Sequence, residues 1–226
     1  TGGIVLDNHD LRVATTGVSG NVGVTVSGGI TGTGNVGMDA GNAGSGGGVT
    51  LAGALINFTG TLTNQGSSST AINVISAALG PNVQRLVQDS AVVGLQMTAS
   101  SPSFSGGVLV RNGSLDYRGN NVLGSGTVTL GDDTFANSNA VFYGSGGSAT
   151  DGLTNPVVLG DRSTYTGVIR MGAAAGAGVD FKGTITGNND IVLSSNSALN
   201  NGASTFSGFI NHVGSLTNSS SGTGSF

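Results

Sequence analysis

Hydrophobic and polar positions alternate along the chain in short runs. Val22-Gly23-Val24-Thr25-Val26, Gly107-Val108-Leu109-Val110, Gly126-Thr127-Val128-Thr129-Leu130, Gly183-Thr184-Ile185-Thr186 and Asp190-Ile191-Val192-Leu193 put β-branched or aliphatic residues on alternate positions or in brief apolar stretches. That is the period of a strand with one buried face. Clusters of Gly, Asn and Ser separate the runs, so the pattern predicts strands of about four to six residues with a turn after each. One segment reads differently: Ile75, Ala78, Leu79, Val83, Leu86 and Val87 have helical spacing, with Pro81 where a first helical turn would stand. Its place in the repeat described next, with Ile75 lying 29 residues before Phe104, favours strands there too.

An aromatic residue followed by Thr or Ser and then Gly recurs as Phe58-Thr59-Gly60, Phe104-Ser105-Gly106, Tyr165-Thr166-Gly167 and Phe206-Ser207-Gly208, at intervals of 46, 61 and 41 residues. These approximate two, three and two units of about 20 to 23 residues, the size of one solenoid coil. Gly113-Ser114-Leu115 is echoed by Gly214-Ser215-Leu216, Leu62-Thr63-Asn64 by Leu216-Thr217-Asn218, and Ile30-Thr31-Gly32 by Ile185-Thr186-Gly187. Variable spacing between such echoes suits coils whose loops differ in length. The expectation is an all-β chain, a single β-solenoid over residues 1–226 with roughly ten coils.

Composition agrees. Glycine supplies 43 residues and charged residues only 8%, against about 25% in ordinary globular chains. Every acid is an aspartate and Lys182 is the only lysine, an alphabet that builds exposed helices poorly. Hydrophobic residues at 37% argue against disorder. A net charge of −4 with seven basic residues leaves no basic stripe for nucleic acid, and no apolar run approaches the ~18 to 20 residues of a membrane span. No cysteine occurs, which removes disulfides and thiol chemistry. Thr1-Gly2-Gly3 opens without the features of a signal peptide, so the chain reads as a segment or processed form of a longer secreted protein.

The run Phe104-Ser105-Gly106-Gly107-Val108-Leu109-Val110-Arg111-Asn112-Gly113-Ser114-Leu115, continuing through Leu123-Gly124-Ser125-Gly126-Thr127-Val128-Thr129-Leu130-Gly131, resembles the autotransporter-associated β-strand repeat of bacterial type V secreted proteins. That resemblance implies a right-handed parallel β-helix, exported to the cell surface or released outside the cell. Phe58, Gly60, Phe104, Gly106, Gly113, Leu115, Leu123, Gly124, Tyr165, Gly167, Phe206, Gly208, Gly214 and Leu216 are the structural repeat positions expected on this reading.

Candidate chemistry is sparse. Gly32-Thr33-Gly34-Asn35-Val36-Gly37 has dinucleotide-fingerprint spacing, but no acid occurs between Asp39 and Asp89 to take the ribose. Residues 34–42 partly resemble one calcium-binding nonapeptide, although such sites share each ion between consecutive turns. Asp132-Asp133 is similar to the paired carboxylates of polysaccharide hydrolases, and an enzyme would gather Asp116, Arg118 and Asp133 on one face. Asp7, His9 and Asp10 are hard ligands without a fourth. The Thr-x-Thr pairs at 31/33, 61/63, 127/129, 164/166 and 184/186 lack the constant spacing of an ice-binding ladder.

No catalytic, cofactor or metal site is expected. The sequence points to a non-catalytic extracellular scaffold or adhesin-like solenoid that self-associates through uncapped terminal coils, with a polysaccharide-binding or polysaccharide-cleaving β-helix as the alternative. For an adhesin, the Gly41 to Gly48 and Gly144 to Gly152 stretches are the candidate ligand loops.

Overall fold

Each short strand finds its partner one coil later in the chain instead of in a hairpin. The computed structural model describes residues 2–16, 22–41, 47–135, 138–145, 152–174, 178–194 and 203–219, and among these the regular structure is all strand. Every strand pairing is parallel, so the fold is a β-solenoid. The segment with helical spacing forms strands, Ile72–Ile75 and Val83–Asp89, because its apolar side chains have coils above and below to pack against.

The coil has three sides. The first carries Ile4–Val5, Ile30–Thr33 and the beginning of Ile56–Asn64, and in later coils only Val179–Asp180 and Ser204–Thr205 with short bridges. The second is a ladder of nine strands: Leu11–Thr15, Val36–Ala40, the end of Ile56–Asn64, Val83–Asp89, the beginning of Gly107–Arg118, Val128–Leu130, Val157–Leu159, Ile185–Gly187 and Ile210–His212. The third is likewise nine deep: Val24–Val26, Val49–Leu51, Ile72–Ile75, Gly94–Met97, the end of Gly107–Arg118, Ala140–Ser145, Ile169–Ala173, Ile191–Leu193 and Leu216–Asn218.

Nine rungs among the described residues is close to the ten expected, and the difference lies in coil length. Val108 pairs with Val128, an advance of 20 residues, but Val128 pairs with Val157, an advance of 29. Phe104 and Phe206 both precede a second-face strand, four rungs apart, whereas Tyr165 precedes a third-face strand. The aromatic motif therefore marks more than one kind of corner. The echoes behave alike: Ile30-Thr31-Gly32 lies on the first side and Ile185-Thr186-Gly187 on the second.

The core is a set of columns running along the stack. On the second face, Leu11, Val36, Leu62, Leu86, Val108, Val128, Val157, Ile185 and Ile210 stand in continuous register. All but the first and last are buried, each contributing about 1.5 to 3 kcal/mol of apolar burial. A second column comprises Leu95, Leu115, Phe142, Met171 and Leu193. In the later coils an aromatic chain joins it, with Tyr117 to Phe142 at 5.2 Å, Phe142 to Phe181 at 6.1 Å and Phe181 stacked on Phe206 at 4.8 Å between ring centres.

Short amide and carboxylate side chains tie the corners together across one coil. Asp10 Oδ1 accepts the Asn35 backbone N–H at 2.8 Å, and Asn35 Oδ1 accepts that of Thr61 at 3.0 Å. Asn57 takes Asn82 N–H, Asp133 takes Asp161 N–H and Asp190 takes Ser215 N–H in the same way. Where the chain turns sharply from the second to the third face within Gly107–Arg118, Gly113 adopts φ +79° and a Cβ there would collide with the Ser90 carbonyl of the previous coil.

Candidate functional site

Outward side chains of the third face form columns of their own. In one, Val74, Gln96, Asp116, Tyr143 and Gly172 stand in register on successive rungs; beside it run Ile72, Gly94, Ser114, Val141 and Arg170. Gly94 carries no side chain, so a dip opens between Ile72 and Ser114. The resulting groove has a volume of about 370 Å³ and is bordered by Thr70, Ile72, Val92, Gln96, Asp116, Arg118 and Tyr143. Its border mixes polar with apolar side chains.

Its polar groups are held in place. Arg118 donates to Asp116 at 2.8 Å, and with its amide oriented to satisfy both partners Gln96 Oε1 accepts from the same guanidinium at 2.8 to 3.0 Å. The Tyr143 hydroxyl lies 3.3 Å from Ser194 Oγ. Ser194 follows the strand two rungs further on, so the Tyr143 side chain extends along the stack over Gly172, where no side chain competes for the space. Between Asp116 and Arg118 on Gly107–Arg118, Tyr117 points inward and is buried, and that burial, followed by the charges of Asp180 and Asp116, raises its pKa far above the ordinary phenol value. It is a core residue and stays neutral.

The trio that an enzyme would gather is divided. Asp116 and Arg118 are on the third face, whereas Asp133 stands beyond the end of a second-face strand, accepting the Asp161 backbone N–H at 2.7 Å. Its neighbour Asp132 binds Arg111 Nε at 2.7 Å and caps a turn through Thr134. Burial opposes the Asp132 charge, but the Thr134 and Arg111 hydrogen bonds outweigh it and lower the carboxyl pKa. Arg111 also reaches Asp89 at 2.8 Å, clamping three successive rungs.

The remaining candidates resolve into structural positions. Gly32 to Gly37 runs from Ile30–Thr33 into Val36–Ala40, strand into strand, with no helix to receive a phosphate. In the calcium-like stretch Asp39 pairs with Arg12. His9 bonds the Asp7 backbone through Nδ1 and Asp10 holds Asn35; among the described residues no group of three metal-ligating side chains assembles. Thr61/Thr63, Thr127/Thr129 and Thr184/Thr186 share the second side but lie on its third, sixth and eighth rungs, so they form no continuous ladder. The Gly41 to Gly48 and Gly144 to Gly152 stretches fall largely outside the described residues.

Among the repeat positions, Phe58, Phe104 and Tyr165 are fully buried, Leu115 and Leu123 are in the core, and Phe206 is half-buried against Phe181. At Gly60, Gly106, Gly167 and Gly208 a side chain would strike a backbone carbonyl of the preceding coil, and Gly124 passes Phe104 in the same close manner. Gly113 and Gly214 both open third-face strands, but Leu216 shares its column with Gly113 and not with Leu115, and is exposed on the last described rung. The groove residues Gln96 and Tyr143 belong to no motif. Only the coil lengths bring them together with Asp116.

No protein-family model matches the chain, and no curated protein or solved structure matches it either.

Proposed function

We propose that this chain is a non-catalytic structural module, an extracellular or bacterial cell-surface scaffold of the adhesin type, and that copies of it associate end to end. The supporting observation is where its charges go. Arg12–Asp39, Arg111 with Asp89 and Asp132, and Arg162–Asp190 all join successive coils, while Asp10, Asp133 and Asp190 hold backbone N–H groups of the next coil. Side chains that an enzyme would aim at a substrate are here used to fix a rod about 40 Å long at ~4.8 Å per rung. The resemblance to the autotransporter-associated repeat supports the same placement outside the cell.

Association rests on the two ends of the stack. The last described rung exposes Phe209, Val213 and Leu216, and the first exposes Val5. Among the described residues, Ile210–His212 and Leu216–Asn218 form the ninth rung of their ladders, paired to the eighth. A second copy adds a further rung through Leu11–Thr15 and Val24–Val26, continuing both ladders. Mass photometry and negative-stain microscopy of the purified chain test this: concentration-dependent rods that shorten in Leu216→Lys are expected, and a 21.9 kDa monomer at every concentration overturns it.

A further inference from the structure

We propose that the third-face groove is a binding site for a neutral glycan. Its chemistry selects a ligand rich in hydroxyls. Arg118 bonds both Asp116 and Gln96, and the three together offer donors and acceptors, as needed by sugar hydroxyls, which are both at once. Asp116 and Arg118 cancel in charge, and the chain carries −4 overall, so an acidic polymer gains nothing here and a cationic one meets a neutralised carboxylate. Tyr143 supplies an aromatic wall for the apolar face of a sugar ring, and Ile72 and Val92 supply a second apolar margin. The residues occupy four consecutive rungs, from Ile72 to Tyr143, a span of roughly 14 Å along the stack. That length accommodates a short oligosaccharide lying along the solenoid axis.

The groove is also preorganised. Its polar residues project from paired strands and are fixed by their neighbours, so little side-chain entropy is lost on binding. The depression exists because Gly94 lacks a side chain, and Gly94 is not in a left-handed conformation. A residue can therefore be placed there without backbone strain, filling the site from within.

Affinity electrophoresis of the full chain through gels containing dextran, an α-mannan or a mixed-linkage β-glucan, with polygalacturonate as the acidic comparison, tests the proposal. At least one neutral polymer should retard the protein. Asp116→Ala, Tyr143→Ala and Gly94→Leu should each weaken that retardation by about tenfold or more, while Arg170→Ala, one rung beyond the groove, should leave it unchanged. The conservative Asp116→Asn and Tyr143→Phe keep the test open if a truncation unfolds, with Tyr143→Phe expected to bind better than Asp116→Asn. No retardation by any neutral polymer, equal retardation of wild type and groove variants, equal loss in Arg170→Ala, or stronger retardation by polygalacturonate overturns it. The outcome is independent of end-to-end association, which is read from particle length.

Discussion

Asn73 donates its side-chain N–H to Asn64 Oδ1 at 2.7 Å inside the core, where neither residue is exposed to solvent. The bond belongs to a chain of polar groups at the corner between the second and third faces. Asn64 donates to Gln88 Oε1 at 2.6 Å and to the Val93 carbonyl at 2.9 Å; Gln88 donates to the carbonyls of Ser90, Val93 and Asn112; and Asn73 Oδ1 accepts the Val49 backbone N–H at 2.7 Å. Each side chain serves backbone groups that the corner has removed from the strand ladders. Asn73→Ala orphans both the Val49 N–H and Asn64 Oδ1, and should cost about 3 kcal/mol in urea unfolding followed by circular dichroism. Thr63→Ala, on the outward side of the neighbouring strand, should stay within about 0.5 kcal/mol.

Arg111 gives a second test of corner bonding. It is about three-quarters buried, bridges Asp89 and Asp132, and lies 5.2 Å from the Phe135 ring centre. Burial works against its charge, but the bonds to Asp132 and Asp89 more than restore it and its pKa is raised. Arg111→Met removes one cation facing two part-buried carboxylates and should destabilise by about 2 kcal/mol. Arg111→Lys should recover less than half of that, because an ammonium cannot reach both carboxylates in the guanidinium geometry. Thermal melts of the three proteins at one salt concentration check the order.

The strands were legible in the sequence because their chemistry is local. Val128–Leu130 and Ile191–Leu193 alternate visibly, and the small residues around them mark the corners. Which corner is which was not legible. An aromatic residue before Ser or Thr and Gly fills the inside of a bend wherever one occurs, so Tyr165 and Phe104 read alike but stand at different corners. The groove was hidden for a related reason. Gln96, Asp116 and Tyr143 are separated by 20 and 27 residues, and with coil advances varying from 20 to 29 no fixed spacing announces that they meet. Asn64, Asn73 and Gln88 read as ordinary polar residues in strand text, and only the stack shows them to be interior.

Two glycines separate backbone need from mere small size. Gly113 combines φ +79° with a Cβ position that collides with the Ser90 carbonyl, so Gly113→Ala should lose about 2 kcal/mol or more, or fail to fold. At Gly94 the nearest atom to a built Cβ is the Ser114 hydroxyl oxygen at 3.0 Å, an end of a side chain that can rotate away. Gly94→Ala should therefore melt within about 0.5 kcal/mol of wild type. Reversal of this order in paired denaturation curves would remove the assignment of Gly113 to the corner.

At the corners the short reach of aspartate matters. Asp190 Oδ1 accepts the Ser215 backbone N–H at 2.6 Å on the next coil, and Asp133 does the same for Asp161. One methylene more would carry the carboxylate past a backbone only one rung, ~4.8 Å, away. Asp190→Glu should therefore lower the melting midpoint at pH 7, whereas Asp190→Asn, which keeps the acceptor oxygen in place, should change it less. Acid adds a second dimension. Hydrogen bonds from Ser215 lower the Asp190 pKa, aided by the charges of Arg162 and His212, and those from Ser163 lower that of Asp161. A carboxyl with a folded-state pKa below its unfolded value of about 3.9 contributes stability that is complete above that value and disappears as pH falls through the folded one. The wild-type midpoint should accordingly hold from neutral pH down to about 4 and then decline. In Asp190→Asn the acid decline should be shallower, because the lost proton-linked contribution is no longer there to lose. Melts between pH 7 and pH 2 that fall equally steeply for both proteins would show that the Asp190 contact is not part of the acid response.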